Sequence, residues 1–351
     1  MDKKILWLGF YLKEKNVLKT IKFFEEDILL EEILAYKKYK VKEIEILGLK
    51  EFEKAEKLGI KILFREDKEF PEKLKLIPYA PIFLYVKGNL EKISPSVGVI
   101  GSRRPTNYGK EVAYKFSKRL AEVGVVLVSG LARGIDTIAH KVCLEVEGKT
   151  IAVLGSGLDV VYPPENKPLF DEISDGYGAV VSEFPFGTSP RKENFPIRNR
   201  LISGFSEAIL VVEAGKKSGT LITAKWALNQ GKEVYAVPGS IFSPQSEGTH
   251  FLIKSGAQPV FSPEELLEFL GVEEKDRISN LFDFGQAEAT QEKLTREEKE
   301  VLSFLSSYPI HLEDLLLQTD LPASEVLSTI TELEFKGIVQ VLPGNFIKLK
   351  D

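Results

Sequence analysis

The sequence predicts an α/β fold: a doubly wound, mostly parallel sheet flanked by a small helical N-terminal domain and a C-terminal winged-helix domain. Three observations predict it. From Val97 onward short apolar runs alternate with helical patterns, nearly every run ends in a glycine-rich polar loop, and the tail carries three helical patterns followed by two strand patterns. At 351 residues and 43% hydrophobic content, the chain has room for two or three domains with packed cores.

Residues 1–93 are rich in Lys and Glu, with apolar residues at helical spacing (Ile5, Leu6, Leu8; Ile28, Leu29, Ile33, Leu34). They predict a helical domain whose simplest role is structural. Strand character first shows over 60–64, and the proline-punctuated stretch 70–88 reads as a strand-like connector that packs onto the next domain. Within 94–271, strands are expected over 97–100, 125–129, 150–154, 179–182, 208–212 and 233–237, with a closing helix over 263–270. The polar, weakly patterned stretch 272–292 reads as a linker.

Residues 293–351 predict the winged helix, with helices over 296–306, 312–319 and 323–336 and two strands around Pro343-Gly344-Asn345. Its would-be recognition helix carries Glu325, Glu332 and Glu334 against Lys336 alone, so reading of a duplex groove is not expected and a protein-contact or regulatory role is.

Composition bounds the function. A net charge of −5 excludes a chain-wide basic surface, so any nucleic-acid contact must be a local patch. The single cysteine, Cys143, excludes a disulfide framework and a cysteine-based zinc site, and it falls on an apolar helix face with Ile135, Ile138, Ala139 and Val142. No apolar run approaches the ~20 residues of a membrane span, and the first residues lack the pattern of a secretory leader. A cytoplasmic location without membrane contact is the default expectation.

In doubly wound sheets ligands sit outside the carboxyl ends of the strands, which makes the loops after them the candidate site. The first loop, Gly101-Ser102-Arg103-Arg104, joins a glycine that lets the backbone approach a ligand to two planar guanidinium forks suited to phosphate. It is not a dinucleotide fingerprint: the glycines stand at 98, 101 and 109, and the second strand ends in Ser129-Gly130 rather than an acid. Nor does Gly215-Lys216-Lys217-Ser218-Gly219-Thr220 have the order of a nucleotide-triphosphate loop. No cofactor or metal is expected.

Summed over one rim, the loops carry Arg103, Arg104, Arg133, Arg191, Lys192, Arg198, Arg200, Lys216 and Lys217 against Asp136, Asp159, Glu183 and Glu213. Phe184, Phe186 and Phe195 lie among these charges. Aromatic rings beside Lys and Arg suit stacking of unpaired bases with backbone neutralisation. Phe184 and Phe186 are expected as core anchors, and Phe195, between Lys192 and Arg198, as the stacking ring.

These segments together resemble the DNA-processing protein A (DprA/Smf) family. The resemblance rests on the runs 99–105, 129–140, 155–163, 182–188, 195–202, 217–224 and 237–241, in order over roughly residues 60 to 260. It implies a Rossmann-like domain that dimerises and binds single-stranded DNA, a SAM-like helical N-terminal domain, and loading of the RecA recombinase on incoming strands in natural transformation. Its implied strand contacts fall on Arg103, Lys192 and Phe195. Ser102, Arg104, Arg198, Asn199, Arg200, Lys217, Ser218, Gly219 and Thr220 complete the expected DNA-binding set, the 218–220 backbone facing a phosphate from a helix start. His250 departs from the family, which has Asn there.

Two rival readings share the basic rim. One is a phosphoribohydrolase-like enzyme on a related scaffold, whose Gly-Gly-x-Gly-Thr-x-x-Glu motif would need a glutamate where this chain has Thr223, a hydroxyl that cannot serve as a carboxylate base. Asp136 and His140, four residues apart on one predicted helix, fit a first-turn acid and a packed imidazole better than catalysis. The other is a nucleotide sensor whose winged helix transmits the signal. A non-catalytic strand binder is the expectation.

Overall fold

The computed structural model describes residues 2–26, 29–91, 93–272, 295–306, 309–319 and 321–349. They fall into two compact units, 1–274 and 275–351. The expected linker lies, from residue 273 on, outside the described residues.

The first unit begins with α1 (Lys3–Glu14), α2 (Val17–Glu25), α3 (Leu30–Tyr36) and α4 (Val41–Lys57). Asp2 and Asn16 start α1 and α2 by accepting the backbone N–H groups of Lys4 and Lys19. β1 (Lys61–Phe64), α5 (Glu72–Lys75) and β2 (Phe83–Gly88) come next. Strand and helix then alternate through β3 (Ser96–Ile100), α6 (Asn107–Glu122), β4 (Val126–Ser129), α7 (Ile135–Glu145), β5 (Thr150–Leu154), α8 (Lys167–Glu172) and β6 (Gly178–Ser182). The alternation continues with α9 (Asn194–Phe205), β7 (Ala208–Val211), α10 (Thr220–Asn229), β8 (Glu233–Ala236), α11 (Glu247–Lys254), β9 (Gln258–Pro259) and α12 (Pro263–Phe269).

These strands form one nine-stranded sheet in the order β1-β2-β6-β5-β4-β3-β7-β8-β9. From β6 to β9 all neighbours are parallel, while β1 and β2 pair antiparallel on the outside. The boundary expected at residue 93 therefore runs through the sheet, whose first two strands precede it. The N-terminal helices also share its core: Leu6, Phe10 and Ile33 pack with Leu154, Val180 and Phe184.

The central strands are buried on both faces, as the near-continuous apolar runs require. In β3, Val97 and Val99 join Leu120 and Cys143 on one side, while Ile100 joins Leu201 and Phe205 on the other. From β3 the chain builds outward through β4, β5 and β6, then returns to lay β7, β8 and β9 on the opposite side. The β3–β7 junction is thus the switch point at which loops diverge and leave a crevice.

The second unit contains α13 (Arg296–Ser303), β10 (Ile310–His311), α14 (Leu312–Gln318), α15 (Ala323–Phe335), β11 (Val339–Leu342) and β12 (Phe346–Leu349), with strand order β10-β12-β11. This is the winged helix expected. A reciprocal Thr295–Glu298 capping box starts α13, and Gly344 and Asn345 adopt the positive φ (86° and 60°) that turns the β11–β12 hairpin. Val301, Leu315, Val326, Leu333 and Ile347 form its core. The exposed face of α15 presents Glu325, Glu332, Glu334 and Phe335. Among the described residues no helix is long and apolar enough to cross a membrane.

Candidate nucleic-acid interface

At the switch point a cavity of about 730 Å³ opens beyond the carboxyl ends of β3 and β7. Every residue of the expected set except Arg200 lines it. Arg103, Arg104, Lys192 and Lys217 stand exposed around it, with Lys216 beside them. Ser102, Asn199 and Thr220 form the buried floor. There the Thr220 hydroxyl donates to Gly101 O (3.2 Å) and the Ser102 hydroxyl accepts Arg104 N–H (3.1 Å), so the start of α10 and the β3 loop are tied together.

The start of α10 turns its positive end toward the cavity, with Ser218, Gly219 and Thr220 in the lining. The Thr220 amide, however, already donates to Ser218 Oγ at 3.2 Å. That donor serves the turn rather than a ligand.

Each acid counted against the rim is engaged in holding the local structure. Glu213, 2% exposed, accepts the Thr106 amide at 2.9 Å. Asp136 accepts the amides of Gly130 and Ala132 at 3.1 and 3.4 Å, and burial pushes its carboxyl up, with the nearby Arg198 charge opposing. Asp159 accepts the Gly187 amide at 2.8 Å and pairs with Lys54. Glu183 is fully buried against Arg200.

Phe195 sits at the first turn of α9 with the Arg103 guanidinium 5.2 Å and the Arg198 guanidinium 5.7 Å from its ring centre. Arg198 is only 4% exposed. It donates from Nη1 to Gly130 O at 2.8 Å and from Nε to Asn199 Oδ1 at 3.2 Å. Burial lowers its guanidinium to about 10, still charged at neutral pH. Two glycines make this arrangement possible: a Cβ on Gly130 would fall 2.6 Å from the Arg198 guanidinium, and one on Gly155 would fall 3.0 Å from the Phe195 ring. Arg198 is therefore a floor cation that supports Phe195.

Arg200 corrects the expected set. It is completely buried, outside the cavity, and paired with Glu183, whose carbonyl in turn accepts the Tyr11 hydroxyl at 3.0 Å. Its role is to fasten α9 to the helical layer. Phe184, 4% exposed, and Phe186, edge-on to Tyr85 at 4.9 Å, are the core anchors expected. Gln245 is an addition to the set: it lines the cavity from the loop after β8, placed by the bond from Ala214 N–H to its own carbonyl (2.9 Å). The rule that ligands meet loops at strand ends points to that segment, but nothing local marks the residue.

The remaining candidates resolve as packing. His140 is fully buried, hydrogen-bonded through Nδ1 to the Thr150 hydroxyl at 2.7 Å, and held by burial at about 3, hence neutral. Burial pushes the Cys143 thiol up to about 12. His250 Nε2 meets Gly239 O at 3.0 Å and so closes its loop. Thr223 lines the cavity with a hydroxyl where the hydrolase motif would place its carboxylate. What remains is a cavity with exposed cations for phosphates and one ring able to stack on a planar group.

The family model for DNA recombination-mediator protein A matches residues 61–271, which include the whole of this cavity. The chain belongs to the DNA recombination-mediator protein A family. A second model, the DprA winged helix domain, matches 285–345. Protein Smf of Escherichia coli is 40% identical over 294 residues, spanning 82% of this chain and 77% of that protein. Among solved structures, DNA processing protein A of Streptococcus pneumoniae superposes with a TM-score of 0.61 at 37% identity, over 72% of this chain and 90% of its own. The family member from Helicobacter pylori, solved for its single-stranded DNA binding mode, gives 0.55 at 30% identity over 60% of this chain and 95% of its own.

Proposed function

We propose that the protein binds single-stranded DNA in the switch-point cavity and acts, without catalysis, as a cytoplasmic mediator that loads RecA recombinase on incoming strands in natural transformation. The observation that carries this reading is the joint placement of Arg103, Arg104, Lys192 and Lys217 around Phe195 at one cavity. Backbone neutralisation beside a stacking ring is what binding of unpaired strands requires. The single-strand binding of the Helicobacter pylori relative and the mediator role in the family's name point the same way.

Arg103 lies over Phe195 in the free protein. A base stacking on that face displaces the guanidinium, which then meets the adjoining phosphate. A homodimer through the α/β domain belongs to the same reading. It is supported by the sheet edge at β9, which among the described residues pairs with β8 alone, and by Phe251 of α11 and Phe261, which are 59% and 74% exposed.

Fluorescence anisotropy with labelled oligothymidylates of increasing length tests the reading. Affinity is expected to rise with length, to exceed that for duplex, and to fall with salt at a log–log slope of about −3.5, since the five exposed cations, Lys216 included, each contribute about −0.7. Saturation by a mononucleotide would favour a sensor, and release of a free base from a nucleotide would favour the hydrolase. The mediator step is read separately, as a shortened lag in RecA's ATP hydrolysis on strands covered by a single-strand-binding protein.

A further inference from the structure

We infer that Tyr162 and Arg133 form a second nucleotide subsite, so that the strand continues from Phe195 onto a second ring. The inference deepens the proposed single-strand reading and rests on it. Tyr162 stands on the loop after β5, and its ring centre lies 6.2 Å from that of Phe195 at an interplanar angle of 47°. Rings at this separation and tilt are not stacked, so neither covers a face of the other.

A narrow crevice of about 20 Å³ lies between them, lined by Gly130, Arg133, Gly155 and Tyr162. It shares Arg103, Phe195 and Arg198 with the main cavity, which makes the two spaces neighbours along one path. A chain of stacked bases needs a cation beside each ring. Arg103 supplies it at Phe195, and Arg133, which lines the same crevice as Tyr162, supplies it there.

Arg133 also pairs with Glu165, but both side chains are more than half exposed (55% and 51%). Such a pair is weak and screened by salt, and a phosphate replaces the carboxylate readily. Among the described residues that line the crevice none is acidic, and Glu165 meets the path through Arg133. The ligand class is a single strand with at least two unpaired nucleotides, one base on each ring.

The test compares Tyr162→Leu, Tyr162→Phe and Arg133→Ala with the wild-type chain against oligothymidylates of increasing length, with thermal melting as the folding control. Tyr162→Leu is expected to leave the shortest bound oligonucleotide unaffected and to weaken longer ones about tenfold. Tyr162→Phe restores them, and Arg133→Ala lowers the salt slope by about 0.7. Equal weakening at every length would overturn the inference, since Tyr162 would then only prop Phe195, and so would no weakening.

Should Tyr162→Leu fail to fold, photocrosslinking of the wild-type protein to a 5-iodouracil oligonucleotide decides instead. An adduct on Tyr162 supports the subsite, and adducts that omit it overturn it. Failure of the underlying reading looks different: the wild-type chain would not bind single strands, or Phe195→Ala would bind them as well as wild type.

Discussion

Arg200→Ala is expected to destabilise the first unit by about 3–5 kcal/mol, because it leaves the buried Glu183 carboxylate without its ion-pair partner. The pair is itself incompletely satisfied: Glu183 Oε1 and Arg200 Nε and Nη1 have no hydrogen-bond partner among the described residues. Replacing both members by apolar groups of similar volume, as in Arg200→Met with Glu183→Leu, is therefore expected to recover most of the loss. Both tryptophans, Trp7 and Trp226, lie in this unit, so fluorescence-monitored denaturation reports it alone. If the double variant simply summed the losses of the two single ones, the pair would not be coupled and the account would fail.

The pair also bears on the site. Tyr11 of α1 holds the Glu183 carbonyl, Glu183 holds Arg200, and the Arg200 carbonyl accepts Gln230 Nε2 at 2.9 Å. Phe195, Arg198 and Asn199 ride on the same helix as Arg200. The N-terminal helices, structural in their sequence pattern, are thereby joined to the helix that carries the proposed DNA contacts.

Much of this architecture is legible in the sequence because it is written locally. The β3 to β8 runs, the glycine loops after them and the winged-helix hairpin each declare themselves within a dozen residues, and the rule that ligands meet strand ends brings distant loops together. What escapes depends on distant partners. β2 joins the sheet through β6, which comes much later in the chain, with the edge strand β1 on its other side, and no local pattern marks such pairing.

The acids counted against the rim pose the same problem: Glu213 is consumed by Thr106 and Glu183 by Arg200, contacts with no signature in spacing. Arg200 is different, for its burial is readable. Residues two apart on a helix point to nearly opposite sides, so Arg198 and Arg200 cannot both face one cavity once the 194–205 stretch is helical. Arg198 faces inward beneath Phe195, and Arg200 takes the far side.

The joint replacement Lys192→Ala with Phe195→Ala is expected to weaken single-strand binding about a hundredfold with little change in thermal stability. Lys192 is exposed on a loop and Phe195 is half-buried at the first turn of α9, and neither belongs to a core cluster. The two contribute by different physics, and the single variants should differ in kind. Phe195→Ala removes a stacking surface worth about 1–3 kcal/mol, so affinity falls while the salt slope stays. Lys192→Ala removes one neutralised phosphate, so the slope shrinks by about 0.7 and the deficit narrows as salt rises. If both variants shifted the slope equally, Phe195 would act through the Arg103 and Arg198 guanidinium groups packed over its ring rather than through a base. If neither changed affinity, the strand would run elsewhere and the cavity would belong to another ligand.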